Sequence, residues 1–131
     1  MKRKIVLVDD DAIYRLIAAR LLGLVDTTLQ IDQFENGQLA LDYLQKEMNV
    51  NGTYTILLDI NMPVLDGWGF LDKVEKKKVN EFPNLHIYIV SSSTDKSDLS
   101  KAGQYKSVKG FFHKPLSMEN IKAIVSERYL T

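Results

Sequence analysis

The chain contains no cysteine, so disulfides, thiolate zinc sites and cysteine nucleophiles are all excluded. It has no net charge either, and its overall electrostatics give no reason to expect nucleic acid or an anionic membrane as a partner. Long apolar runs are also missing. Met1-Lys2-Arg3-Lys4 followed by Ile5 to Val8 starts in the manner of a signal peptide. Asp9, Asp10 and Asp11 then stop the run far short of an h-region or a membrane span. No internal repeat, low-complexity tract or linker interrupts the 131 residues. With 45% hydrophobic residues the chain can build a real core, and the expectation is one cytoplasmic domain over residues 1–131.

What is present alternates. Lys4 to Val8 is a β-branched and leucine run suited to a buried strand. From Ala12 to Leu24, Ile13, Leu16, Ile17, Leu21 and Leu24 recur at the spacing of one helical face, which is predicted to be buried. Leu29 to Phe34 reads as a second strand, and Asn36 as a cap for a helix carrying Leu39, Ala40, Tyr43 and Leu44. Asn49, Asn51 and Gly52 break the chain before a third strand that ends in Ile56-Leu57-Leu58. A third helix is predicted over Trp68–Val79, its lysine run Lys76–Lys78 forming a solvated end. The segment 80–84, with Pro83, is a loop. His86 to Val90 makes a fourth strand, Asp95 to Tyr105 a polar helix, and Gly110 to His113 a short fifth strand. Ser117 caps a last helix with Met118, Ile121, Ile124 and Val125 inward.

Five β-α units call for a parallel sheet with helices on both faces. The predicted fold is α/β, a flavodoxin-like (βα)5 doubly wound sheet in the order 2-1-3-4-5. No separate output domain is expected after the fifth helix.

The chemistry lies in the polar residues that close the strands. Asp9 and Asp10 end the first, Asp59 the third, Ser91 the fourth and Lys114 the fifth, and a parallel sheet gathers all these ends on one edge. Packed carboxylates repel, so they either gain protons or hold a cation. All-oxygen donors suit Mg²⁺ or Mn²⁺. A divalent cation, a lysine and a hydroxyl together hold phosphoryl oxygens, and a carboxylate among them can act as the nucleophile. Each residue alone has a plainer explanation: Asp11 is assigned to a helix N-terminus, and Lys-Pro or Ser-Ser-Ser commonly mark surface turns. Four separate strand ends supplying the parts of one site outweigh those explanations.

With Val8-Asp9-Asp10, Leu58-Asp59, Asn61-Met62-Pro63, Asp66-Gly67, Ser91 and Lys114-Pro115 in this order and spacing, the chain resembles the response-regulator receiver domains of two-component signalling, of the stand-alone CheY-like kind. The resemblance implies that Asp59 is the phosphoacceptor. Asp9, Asp10, Asp59 and the backbone carbonyl of Asn61 would bind Mg²⁺, and Lys114 would contact the phosphoryl oxygens. It also implies a switch pair, Ser91 and Phe111, that remodels the face formed by helix four, strand five and helix five. The donor would be a sensor histidine kinase or phosphotransfer protein, and the output a protein contact by a monomer or weak phosphorylation-dependent dimer. Beyond self-phosphorylation and autodephosphorylation no enzymatic activity is implied. Ser92, Ser93 and Gly69 depart from the usual pattern, and Asn61 and Ser93 occupy positions that tune dephosphorylation. Two competitors fare worse. A metal-dependent phosphatase would want an acid where Asn61 stands, and a flavodoxin would not place Asp9 to Asp11 against a flavin phosphate. A phosphorylation-independent binding module is the remaining alternative.

Overall fold

Leucine and β-branched runs become strands because both their faces can be covered, and amphipathic segments between them become the covering helices. The computed structural model describes residues 3–47, 53–62, 64–77 and 85–126. In chain order the elements are β1 (Arg3–Val8), α1 (Ala12–Val25), β2 (Gln30–Phe34), α2 (Gly37–Glu47), β3 (Thr53–Leu58), α3 (Gly67–Lys77), β4 (Leu85–Ser91), α4 (Lys96–Ala102), β5 (Val108–His113) and α5 (Met118–Ser126). The expected chain break at Asn49, Asn51 and Gly52, Pro63, the end of the third helix beyond Lys77 and the loop 80–84 lie outside the described residues.

The strands form one parallel sheet in the order β2-β1-β3-β4-β5, the flavodoxin-like arrangement expected from the sequence. Alternate side chains feed two cores. Val6, Val8, Ile56 and Leu58 meet Leu44 and Phe70 of α2 and α3 on one face. Ile5, Leu7 and Leu57 meet Leu22 of α1 with Ile121 and Ile124 of α5 on the other. The caps behave as the sequence suggested. Asp11 Oδ1 accepts the N–H groups of Ile13 and Tyr14, Asn36 accepts that of Leu39, and Ser117 and Asn120 bond each other reciprocally.

Three expectations are corrected. The face of α1 that the spacing marked as buried is largely exposed, with Ile13 at 71% and Leu24 at 75%, and Leu16 and Ile17 half in water. The buried face is Ala18 and Leu22, with Tyr14, Leu21 and Val25 partly covered. This helix is apolar nearly all round, so its own periodicity does not select a face; small Ala18 allows close packing on the sheet and α5. The fourth helix is shorter than Asp95–Tyr105, because Asp95 is its cap and Gly103 ends it after few apolar residues. The fifth strand starts at Val108, two residues before the expected Gly110, since pairing with Ile87 extends it.

Candidate functional site

Two adjacent central strands build the site. Val8 and Leu58 are register partners, and the N–H of Asp59 donates to the Val8 carbonyl at 2.9 Å. Asp9 is fixed in the same way, its N–H donating to Phe34 on β2 at 3.0 Å. The carboxylates of Asp9, Asp10 and Asp59 consequently lie within 4.8 Å of one another, the first and last buried and Asp10 exposed. Lys114 follows β5 and is pinned by its N–H to the Ser91 carbonyl at 3.0 Å. Its ammonium nitrogen reaches 2.6 Å from Asp9 Oδ2 and 3.6 Å from Asp59 Oδ2.

Burial, and then the neighbouring charge of Asp9, pushes the Asp59 carboxyl up to about 6; Lys114 and the backbone N–H of Asn61 pull the other way. A cation beside the three acids would relieve that repulsion. Hard oxygen donors without a nitrogen or sulfur ligand fit Mg²⁺ in chemical type.

The other predicted residues are placed differently. Asn61 has an exposed side chain and offers its N–H to Asp59. Ser91 ends β4 fully buried, but its hydroxyl oxygen accepts the N–H of Ser93 at 3.0 Å, within its own loop. Phe111 is half-buried on β5, packs on the core beneath α2 and α3, and meets His113 edge-on at 5.5 Å. It is therefore part of the core, not of the acidic cluster.

Sequence reasoning missed two contributors, Tyr14 and Arg15, and quoted a third, Gly67, only as part of a motif. Gly67 donates its N–H to the Ile60 carbonyl, and a Cβ there would stand 2.6 Å from the Asp59 carbonyl oxygen. Arg15 donates from its guanidinium to the Asp9 carbonyl, and the ring of Tyr14 lies against Lys114. The available signal was position: Tyr14 and Arg15 come one helical turn after the acidic triplet.

A family model of the response regulator receiver domain matches residues 5–126. The chain belongs to that family. It is thus a CheY-like receiver of two-component signalling, and receivers are signalling modules that work with histidine kinases. The receiver is 28% identical to the probable methanogenesis regulatory protein FilR2 of Methanothrix harundinacea over 125 residues, 94% of this chain and 79% of that protein. It is 30% identical to the sensor histidine kinase CheAY of Helicobacter pylori over 118 residues, 90% of this chain but only 14% of that one. Solved structures share the fold. A two-component response regulator from Cytophaga hutchinsonii superposes with a TM-score of 0.88 at 22% identity over all of both chains. The chemotaxis protein CheY4 of Vibrio cholerae gives 0.77 at 21% identity over 97% of this chain and 98% of that one. Among the described residues no helix is long and apolar enough to cross a membrane.

Proposed function

We propose that this receiver accepts a phosphoryl group on Asp59 from the phosphohistidine of a histidine kinase or phosphotransfer protein, and that the modified form changes a protein-binding surface. The supporting observation is convergence: a buried carboxylate ends a central strand, with two more acids beside it and an ammonium 3.6 Å away. An Asp59 oxygen attacks phosphorus as the P–N bond to the imidazole breaks. The ring nitrogen keeps the bonding pair and takes up a proton. Lys114 meets the charge on the phosphoryl oxygens. Asp9, Asp10, Asp59 and the Asn61 carbonyl are the residues that would hold Mg²⁺, or Mn²⁺. When bound, the ion neutralises charge on those same oxygens.

On this reading Ser91 exchanges its bond with the Ser93 N–H for one to the phosphoryl group. Phe111 follows, and the α4-β5-α5 face is altered for a downstream protein. Asn61 and Ser93 would set how long the acyl phosphate lasts. The reading takes the chain as a single receiver domain, monomeric or weakly dimeric when phosphorylated, whose output is a protein contact.

The test is acetyl phosphate with and without Mg²⁺, followed by intact mass, beside Asp59→Ala. One Mg²⁺-dependent phosphoryl adduct, lost in the variant, is expected. A folded protein that binds Mg²⁺ but forms no adduct would instead indicate a phosphorylation-independent binding module.

A further inference from the structure

The first turn of α1 sets an aromatic ring beside the charged groups of the site. Asp11 fixes it there by accepting the backbone N–H of Tyr14 at 3.1 Å and that of Ile13 at 3.0 Å. The Lys114 ammonium lies 4.5 Å from the centroid of the Tyr14 ring, inside the range of about 6 Å over which a ring face attracts a cation. Three groups thus hold that ammonium: Asp9 at 2.6 Å, Asp59 at 3.6 Å, and the ring. They are not equivalent. The two carboxylates are those that Mg²⁺ and the phosphoryl group would engage, and an oxygen committed to either attracts the lysine less. The ring has no such competing engagement. Lysine is a point charge on a flexible four-carbon stem, and an ammonium released by Asp9 has many solvent-facing rotamers to adopt.

We propose that Tyr14 is a positioning residue for Lys114: its ring face seats the ammonium, keeping it at the mouth of the site once Asp9 turns to the metal. The proposal rests on the phosphoacceptor reading of Asp59. The competing explanation is simple packing, since Tyr14 is half-buried against the core shared by α1 and α5. Packing alone asks only for apolar volume, which leucine or methionine would also supply. The phenol oxygen is buried without a hydrogen-bond partner, so it is the ring and not the hydroxyl that separates the two explanations. A ring face toward a cation gives an aromatic side chain a reason to be here that volume does not.

The experiment compares wild type with Tyr14→Phe, Tyr14→Leu and Tyr14→Met. Adduct formation is followed against acetyl phosphate concentration at saturating Mg²⁺. Tyr14→Phe should stay within about twofold of wild type. Tyr14→Leu and Tyr14→Met, which fill volume without a ring, should lose about 3- to 10-fold in maximal rate with unchanged half-saturation. Independently, the Lys114 ε-methylene protons should show an upfield ring-current shift in wild type and Tyr14→Phe, retained on adding Mg²⁺ and absent in the leucine and methionine variants. Full rates in Tyr14→Leu and Tyr14→Met would overturn the proposal. So would a wild-type ε-methylene at its random-coil position, or one that moves there on adding Mg²⁺. If wild type forms no adduct at all, the phosphoacceptor reading fails, and the methylene shift still decides whether the ring seats the lysine.

Discussion

The ammonium nitrogen of Lys114 lies 2.6 Å from a carboxylate oxygen of Asp9. It acts as an internal counterion for acids that would otherwise face one another, with 20% of the lysine side chain still exposed. Lys114→Met should therefore destabilise the metal-free protein by about 1–3 kcal/mol, less than the loss of one partner from a fully buried pair. Mg²⁺ should recover part of that loss. Chemical denaturation with and without Mg²⁺ checks both statements, and the variant should gain more from the ion than wild type does.

Asp59 gives the metal-free protein a particular pH dependence. Its carboxyl ionises near 3.8 when unfolded and is pushed up to about 6 in the fold, chiefly by burial. The folded state therefore holds this proton more tightly. The contribution to stability is fully present below about pH 4 and is lost as pH rises through about 6. The loss should be about 1–2 kcal/mol, below the full value of the shift because solvent reaches the mouth of the site. In chelator, Asp59→Asn should remove this component of the difference between denaturation curves at pH 5 and pH 7.5.

Gly67 leaves no room for a methyl group. A Cβ would lie 2.6 Å from the Asp59 carbonyl oxygen and 2.7 Å from Ile60 Cα, both backbone atoms of the segment that begins at Asp59. Gly67→Ala should cost about 1–3 kcal/mol, and it should slow acetyl-phosphate adduct formation by displacing Asp59. Thermal melts and intact mass would show whether stability and rate fall together.

The two faces of α1 should respond oppositely to truncation. Leu22 is fully buried, so Leu22→Ala should cost about 2–5 kcal/mol. Ile13→Ser with Ile17→Ser removes apolar groups already half or more in water, and each should lie within about 0.5 kcal/mol of wild type. Urea midpoints would separate the two cases.

A single stripe of α3 holds the segment after α4. Trp68 stacks on Tyr105 with ring centroids 6.0 Å apart, Asp72 accepts the Tyr105 hydroxyl at 2.7 Å, and Glu75 accepts the N–H groups of Lys106 and Ser107. Lys101 adds its ammonium 4.6 Å from the Trp68 ring. Glu75→Ala should free both N–H groups and speed their hydrogen exchange roughly tenfold, leaving β1 and β3 amides unchanged. The chain has one tryptophan, so any loosening of this stripe should also change its fluorescence.

The order of elements could be read from the sequence because strand and helix periodicities are local, and so are the polar residues that end each strand. This was enough to bring Asp9, Asp10, Asp59 and Lys114 to one edge. It was not enough to orient α1, whose buried side is chosen by Ala18 and Leu22 packing against partners distant in sequence. Nor could it find Tyr14, whose relation to Lys114 exists only once both ends of the chain are folded together. Ser91 shows a third kind of limit. Its place at the end of β4 was legible, whereas its hydroxyl's bond to the Ser93 N–H depends on the turn that follows.

β3 sends Ile56 and Leu58 into one core and Leu57 into the other, all three nearly or wholly excluded from solvent. Asp59, the proposed phosphoacceptor, is consequently mounted at the end of a strand packed on both faces. The cation that serves it sits on a loop, at the end of a flexible stem. On the proposed reading, alignment of the attacking atom is settled during folding, and reorganisation during each cycle falls to the side chains of Lys114, Ser91 and Phe111. Under that same reading, such a protein can be charged and discharged repeatedly while β3 itself stays in place.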